Sequence, residues 1–175
     1  NVQITTDIIV GFPGETEADH QATLDICTEA QFAAAYTFQY SKRPNTPAAE
    51  MPDQVPADVV KRRYNELHEH QNAISLAVNQ RSIGNKYVAL VSEHFGERDS
   101  TFNRLSGRIE DSRLVHFAAP KDARPGDFVE VAIDAAEPHY LIGTGSKVIP
   151  TRGGDVFNQK ASTMLGIPKL FNKSK

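Results

Sequence analysis

The alternation of apolar and polar residues changes character twice along the chain. Residues 4 to 10, ITTDIIV, form a short β-branched run that stops at a glycine, the pattern of a buried strand. From Glu15 to Ala30 the period is helical. Thr16 is the N-cap candidate, Asp19 its capping-box partner, and Ala22, Leu24, Ile26, Cys27 and Ala30 the small-residue apolar face. AAAYTFQYS, 33 to 41, reads again as strand. Strand, helix and strand in such a short span predict a βαβ unit, hence a parallel pair with a right-handed crossover. RPNTPAAEMPDQVP is proline-rich, irregular and too long for a turn, so it is expected to pack over another element. From Ala57 to about Arg81, residues Val60, Tyr64, Leu67, Gln71, Ile74 and Val78 recur at three-and-four spacing, predicting one long amphipathic helix ended by Gly84.

From Lys86 to about Val148 the period is mostly two. YVALV, RLSGRIE, SRLVHF, DFVEVAI and HYLIGTG are separated by GERDS, EDS, PKDARPG and AAEP. Five short strands with turn signals between them predict a small antiparallel barrel. The tail from Thr151 to Lys175 is polar apart from Met164, Leu165 and Ile167. The expected fold class is therefore α/β plus all-β: an α/β unit with a connecting helix over 1–82, a barrel over 83–149, and a polar tail over 150–175.

Composition narrows the function. Of 175 residues, 39% are hydrophobic, enough to bury a core, and no apolar run approaches the roughly 20 residues of a membrane-spanning helix. The start, NVQITTDIIV, has no basic region, which argues against a signal peptide; it opens inside a strand, as though protein preceded it. The single cysteine, Cys27, excludes an internal disulfide, suits a reducing cytoplasm, and excludes a Cys-rich zinc or iron–sulfur site built by this chain alone. Inside a helix it reads as a small buried hydrophobe. A net charge of −3 is not that of a general DNA-binding domain, so any RNA contact must come from a local patch. His68 and His70 are two apart on a helix and face different ways, and His94, His116 and His139 are scattered, so no metal constellation is expected.

The chemistry concentrates in TTDIIVGFPGET. Glycine turns between a strand end and a helix N-terminus are where α/β proteins bind ligands. Gly11 and Gly14 permit unusual φ values and close backbone approach, Pro13 stiffens the turn, and Glu15 can accept hydrogen bonds from an amine or a ribose. On residue types alone, a tight βα turn with glycines needed only for geometry explains the stretch equally well.

TTDIIVGFPGET, then a strand running into FQYSKRPNTPAAEMPDQVP, then RLSGRIEDSRLVHF, occur in an order that resembles the radical S-adenosylmethionine methylthiotransferases over residues 1 to about 148. The resemblance implies the last part of a partial (β/α) radical barrel followed by an OB-like TRAM barrel. It implies that Gly11, Phe12, Gly14 and Glu15, with Tyr40, Arg43 and Thr46 from the next strand end, lie on the S-adenosylmethionine side. Asn45 stands where the family usually has glycine; asparagine tolerates a left-handed backbone, which keeps the turn possible. His20 stands where an aromatic or apolar residue is expected. The family also uses two [4Fe–4S] clusters, held by six cysteines that are not in this sequence. The chain is thus expected to be the C-terminal portion of a longer enzyme, inactive alone, with an uncovered apolar face prone to association.

For the barrel, the resemblance implies RNA, namely a tRNA anticodon stem-loop. Arg104, Arg108, Arg113 and His116 are the candidate patch, with Arg104 and Arg108 on one strand face. The same arginines also read as surface charge paired with Glu110 and Asp111. Phe102 or Phe117 could stack a base, although Phe117 fits a core position. The implied reaction places a methylthio group on C2 of isopentenyl-adenosine next to the anticodon. Other branches act on threonylcarbamoyl-adenosine or on a ribosomal-protein aspartate. The latter tends to carry an acidic pair where this chain has Lys42, Arg43 and Pro44, and RLSGRIEDSRLVHF leans to the first branch. A non-catalytic RNA-binding module is the reading outside enzymology.

Overall fold

The computed structural model describes residues 2–92 and 104–151. His94, Phe102, the GERDS turn and the cluster Met164, Leu165 and Ile167 lie outside the described residues. Two compact units are present, one running to Ser82 and including Ala136–His139, the other formed by Ile83–Ala135 and continuing from Tyr140.

In the first unit, β1 (Thr5–Val10) pairs in parallel with β2 (Ala34–Gln39), with α1 (Glu17–Ala30) as the crossover. The capping box forms as the sequence predicts: the Asp19 N–H donates to Thr16 Oγ1 and the Thr16 N–H donates to Asp19 Oδ2. The short α2 (Pro47–Glu50) lies in the proline-rich segment, where an irregular path was expected. That segment packs back as expected, because the Gly14 N–H donates to the Asp53 carbonyl at 2.8 Å. The long helix α3 (Ala57–Gln80) buries Val60, Leu67, Gln71, Ile74 and Val78 of the predicted stripe, whereas Tyr64 is only half-buried and Arg63 takes an inward position instead. Val10, Leu24, Cys27, Ala33, Leu67, Ile74 and Val78 form the core.

The apolar face of α1 differs from expectation. His20, Leu24 and Cys27 point inward, one helical face at i, i+4 and i+7, while Ile26 and Ala22 are exposed. His20 is tolerated there because its Nε2 lies 3.1 Å from Glu66 Oε2 on α3. The other sheet face carries Ile9, Tyr36 and Phe38, all more than half exposed, the uncovered apolar face foreseen from the sequence.

The second unit is a closed barrel of β3 (Lys86–Val91), β4 (Arg104–Arg108), β5 (Leu114–Ala118), β6 (Phe128–Ala136) and β7 (Leu141–Ile149), in the order β3-β4-β5-β7-β6. All five expected strands are present, but the barrel is mixed rather than antiparallel, since β5 and β7 run parallel. Strand parity dictates this: alternating directions cannot close around a ring of five. Val115 and Phe117, Val129 and Val131, and Leu141 fill the interior. Gly143 lets β7 lie against β6; a Cβ there would stand 2.3 Å from the Ala132 carbonyl oxygen.

Candidate cofactor and RNA sites

The glycine turn is held from α3. Gly11 has φ +81°, and a Cβ on it would lie 2.5 Å from Val60 Cγ2. Its N–H donates to Glu15 Oε2 at 2.7 Å. The other Glu15 oxygen accepts from Arg63 Nη1 at 2.8 Å, and the same nitrogen donates to the Glu15 carbonyl at 3.0 Å. Arg63 Nη2 and Nε reach Glu17 Oε1 at 2.8 and 3.2 Å, and Arg62 pairs with that oxygen too. The Arg63 hydrogen bond is the main cause holding the Glu17 carboxyl below its ordinary value. Sequence reasoning missed Arg63. Its spacing from Val60 and Leu67, three and four residues, was the available signal.

The seven cofactor-side candidates do not gather at one place. Phe12, Tyr40, Arg43 and Thr46 line a cavity of about 630 Å³ at the C-terminal ends of β1 and β2, together with Ile9, Phe38, Gln39, Ser41 and Ala48. Phe12 meets Tyr40 edge-on, with centroids 5.4 Å apart. Gly14 and Glu15 instead line a second cavity of about 550 Å³ with Thr16, Glu17, Asp53 and Arg63. Gly11 borders neither and is packed on α3. Glu15, whose carboxylate oxygens are engaged by Gly11 and Arg63, braces the turn rather than presenting itself to an amine or a ribose.

The first cavity suits a nucleoside-bearing ligand. Its walls are aromatic and apolar, Arg43 supplies a cation, and the Tyr40 hydroxyl is shielded from solvent with no hydrogen-bond partner among the described residues, a group that a ligand could satisfy. Asn45 takes φ +64°, the left-handed backbone that its side chain tolerates, and the Thr46 hydroxyl donates to the Arg43 carbonyl at 2.8 Å, closing the turn. An iron–sulfur cluster does not fit the residues described. No group of three His, Cys, Asp or Glu side chains gathers among them, and Cys27 is fully buried, with its thiol pKa raised by that burial.

On the barrel, Arg104, Ser106 and Arg108 share one face of β4, with Arg108 exposed, Arg104 half-buried and Ser106 buried, and His116 stands opposite Ser106 on β5, its Nδ1 2.9 Å from Ser106 Oγ. Tyr140, which the sequence reading passed over, meets the His116 ring edge-on at 5.0 Å. Arg108 is exposed and donates to the Ser112 carbonyl at 2.7 Å. Arg113 is not part of this surface as an open cation: Asp111 engages its Nε at 2.9 and 3.0 Å and its Nη2 at 2.7 Å, and its guanidinium lies 5.9 Å from the Tyr87 ring centroid. Phe117 is fully buried and cannot stack a base. β4, β5 and β7 contain no acidic residue, whereas β6 carries Glu130 and Asp134.

Curated relatives decide the family. A protein of Streptomyces viridosporus named tRNA-2-methylthio-N(6)-dimethylallyladenosine synthase is 49% identical over 178 residues, covering 95% of this chain and 35% of its own length. Its namesake in Acidothermus cellulolyticus is 53% identical over 173 residues, covering 95% and 35%. That of Tropheryma whipplei is 49% identical over 178 residues, covering 97% and 38%. The chain belongs to this synthase family. It spans little more than a third of the relatives it matches and corresponds to their C-terminal part. No protein-family model matches the chain. Among the described residues no helix is long and apolar enough to cross a membrane.

Proposed function

We propose that this chain is the C-terminal part of a radical S-adenosylmethionine tRNA methylthiotransferase that places a methylthio group on C2 of N6-isopentenyl-adenosine beside the anticodon. The observation that carries this is identity of about half, across nearly the whole chain, to synthases named for that product. S-adenosylmethionine supplies the radical and methyl chemistry when bound. Phe12 and Tyr40 would hold it with the cavity's aromatic walls, and Arg43 and Thr46 would give it polar partners. The two [4Fe–4S] clusters are held by the remainder of the enzyme. The outer surface of β4, β5 and β7, with Arg104, Arg108 and His116, grips the tRNA stem-loop, supported by the absence of acidic residues from those strands. A reducing cytoplasm is the compartment this chemistry needs.

Nucleoside mass spectrometry of tRNA from cells lacking the gene tests the reading. Loss of the methylthio group with accumulation of isopentenyl-adenosine is expected. An unchanged isopentenyl-adenosine profile would redirect the assignment to threonylcarbamoyl-adenosine or to a ribosomal protein.

A further inference from the structure

The glycine turn has a backbone hydrogen bond of its own, from the Glu15 N–H to the Phe12 carbonyl at 2.9 Å, but that bond does not engage the Gly11 peptide. Gly11 and Gly14 both sit at positive φ, +81° and +87°, where glycine moves freely. Gly11's N–H finds its acceptor in a side chain, Glu15 Oε2, rather than in another peptide group. That carboxylate is aimed by Arg63, which is 3% exposed and reaches it from α3, 48 residues along the chain. We propose that Arg63 is a positioning residue for the cofactor turn, acting through Glu15 on the Gly11 peptide.

Geometry separates this role from that of an ordinary ion pair. Arg63 holds Glu15 twice, through the carboxylate and through the backbone carbonyl, so both the side chain and the peptide plane of Glu15 are fixed. Its remaining nitrogens hold Glu17, in the first turn of α1. A planar guanidinium can make all these bonds at once; an ammonium cannot. The same turn carries Phe12, whose ring forms one wall of the larger cavity against Tyr40. Fixing the Gly11 and Glu15 peptides therefore fixes Phe12 between them. This consequence for ligand binding rests on the cofactor reading above; the relay itself does not.

Hydrogen exchange of the Gly11 amide reads the relay directly, since Glu15 is that amide's acceptor. In the full-length protein, Arg63→Met should speed Gly11 exchange about tenfold, the loss of one hydrogen bond, while the Tyr40 amide, bonded to the Val10 carbonyl, stays as it is. Arg63→Lys should fall between Met and the parent. Glu15→Gln should match Arg63→Met, and the double variant should add little to either, as for two members of one chain of contacts. Unchanged Gly11 exchange in Arg63→Met, additive effects of the two substitutions, or acceleration spread evenly over the unit would each overturn the proposal. Calorimetric titration with S-adenosylhomocysteine is the second arm. Arg63→Met should weaken its binding severalfold, and equal affinity would refute the consequence for Phe12. If the parent protein does not bind it, the cofactor reading fails while the exchange data still decide the relay.

Discussion

Gly11 offers a direct test of how tightly the turn is pressed onto α3. Two costs meet there: a positive φ of +81°, and a missing Cβ that would stand 2.5 and 2.8 Å from the two γ-methyls of Val60. Gly14 isolates the first, because its φ is +87° with nothing within 4 Å of the absent Cβ. Gly14→Ala carries a left-handed penalty of about 1–2 kcal/mol. The stiffer unfolded chain returns about 0.4–1 kcal/mol of it. The net loss is then roughly 1 kcal/mol. Gly11→Ala adds overpacking against a buried β-branched side chain, about 1–3 kcal/mol, for a total near 2–4 kcal/mol. Val60→Ala removes the offending methyls, so the double variant should be more stable than the sum of the singles by about 1–2 kcal/mol. Urea unfolding followed by far-ultraviolet circular dichroism is the assay, since all described helices belong to the unit that contains the turn. Equal losses for the two alanines, or strict additivity with Val60→Ala, would show that the contact with α3 carries no load.

Three further outcomes are expected. Asp127 is fully buried, accepting from Arg124 Nε at 2.8 Å and from the Thr151 N–H at 2.9 Å, and the Arg124 hydrogen bond is the first cause keeping its carboxyl below the ordinary aspartate value of 3.8. A folded value below the unfolded one stabilises the barrel above pH 3.8 and loses that contribution as pH falls through the folded value. Asp127→Asn should therefore cost about 3 kcal/mol near neutral pH and steadily less in acid; denaturant melts across that range check both, and parental stability at neutral pH refutes it. Asn45→Gly should be nearly neutral, whereas Asn45→Val should lose about 2 kcal/mol by thermal melting, because a β-branched residue resists φ +64°. Arg108→Ala should weaken binding of an anticodon stem-loop and lower the slope of log affinity against log salt by about 1, while Arg113→Ala, whose charge Asp111 already engages, should leave that slope unchanged.

What the sequence disclosed follows the range of the interactions. The capping box at Thr16, the apolar stripe of α3 and the five strand patterns are local signals, and all appear. Arg63 and His20 were opaque because their partners, Glu15 and Glu66, lie 48 and 46 residues away, and an arginine in a helical pattern reads as solvated until something buried is known to pair with it. Arg113 had two readings, an RNA contact or a pair with the nearby acids, and the structure makes the pair: Asp111, two residues before it, turns back onto it across the β4–β5 turn, where Ser112 takes φ +68°. The parallel β5–β7 pair was within reach, since a count of five strands and the word barrel together forbid full alternation. The division of the cofactor candidates between two cavities was not. Adjacent residues in GFPGE point to opposite sides of a turn whose path the two positive-φ glycines permit and contacts distant in sequence hold.

That path explains how two motifs nearly thirty residues apart come to share one cavity. The parallel register sets Val10 beside Gln39, so both strands end at the same level, and the Tyr40 N–H donates to the Val10 carbonyl at 2.7 Å, one step beyond the ladder. An antiparallel pair would have sent the two ends to opposite edges of the sheet. The crossover helix α1 thus does more than cover the core: by returning the chain in the same direction it delivers Phe12 and Tyr40 to one place. α3 then fixes what the strands deliver, with Val60 against Gly11 and Arg63 on Glu15, side chains three residues apart on one buried face. The cavity's geometry therefore depends on a helix that contributes none of the residues lining it, and substitutions on α3 should alter binding there without touching a ligand.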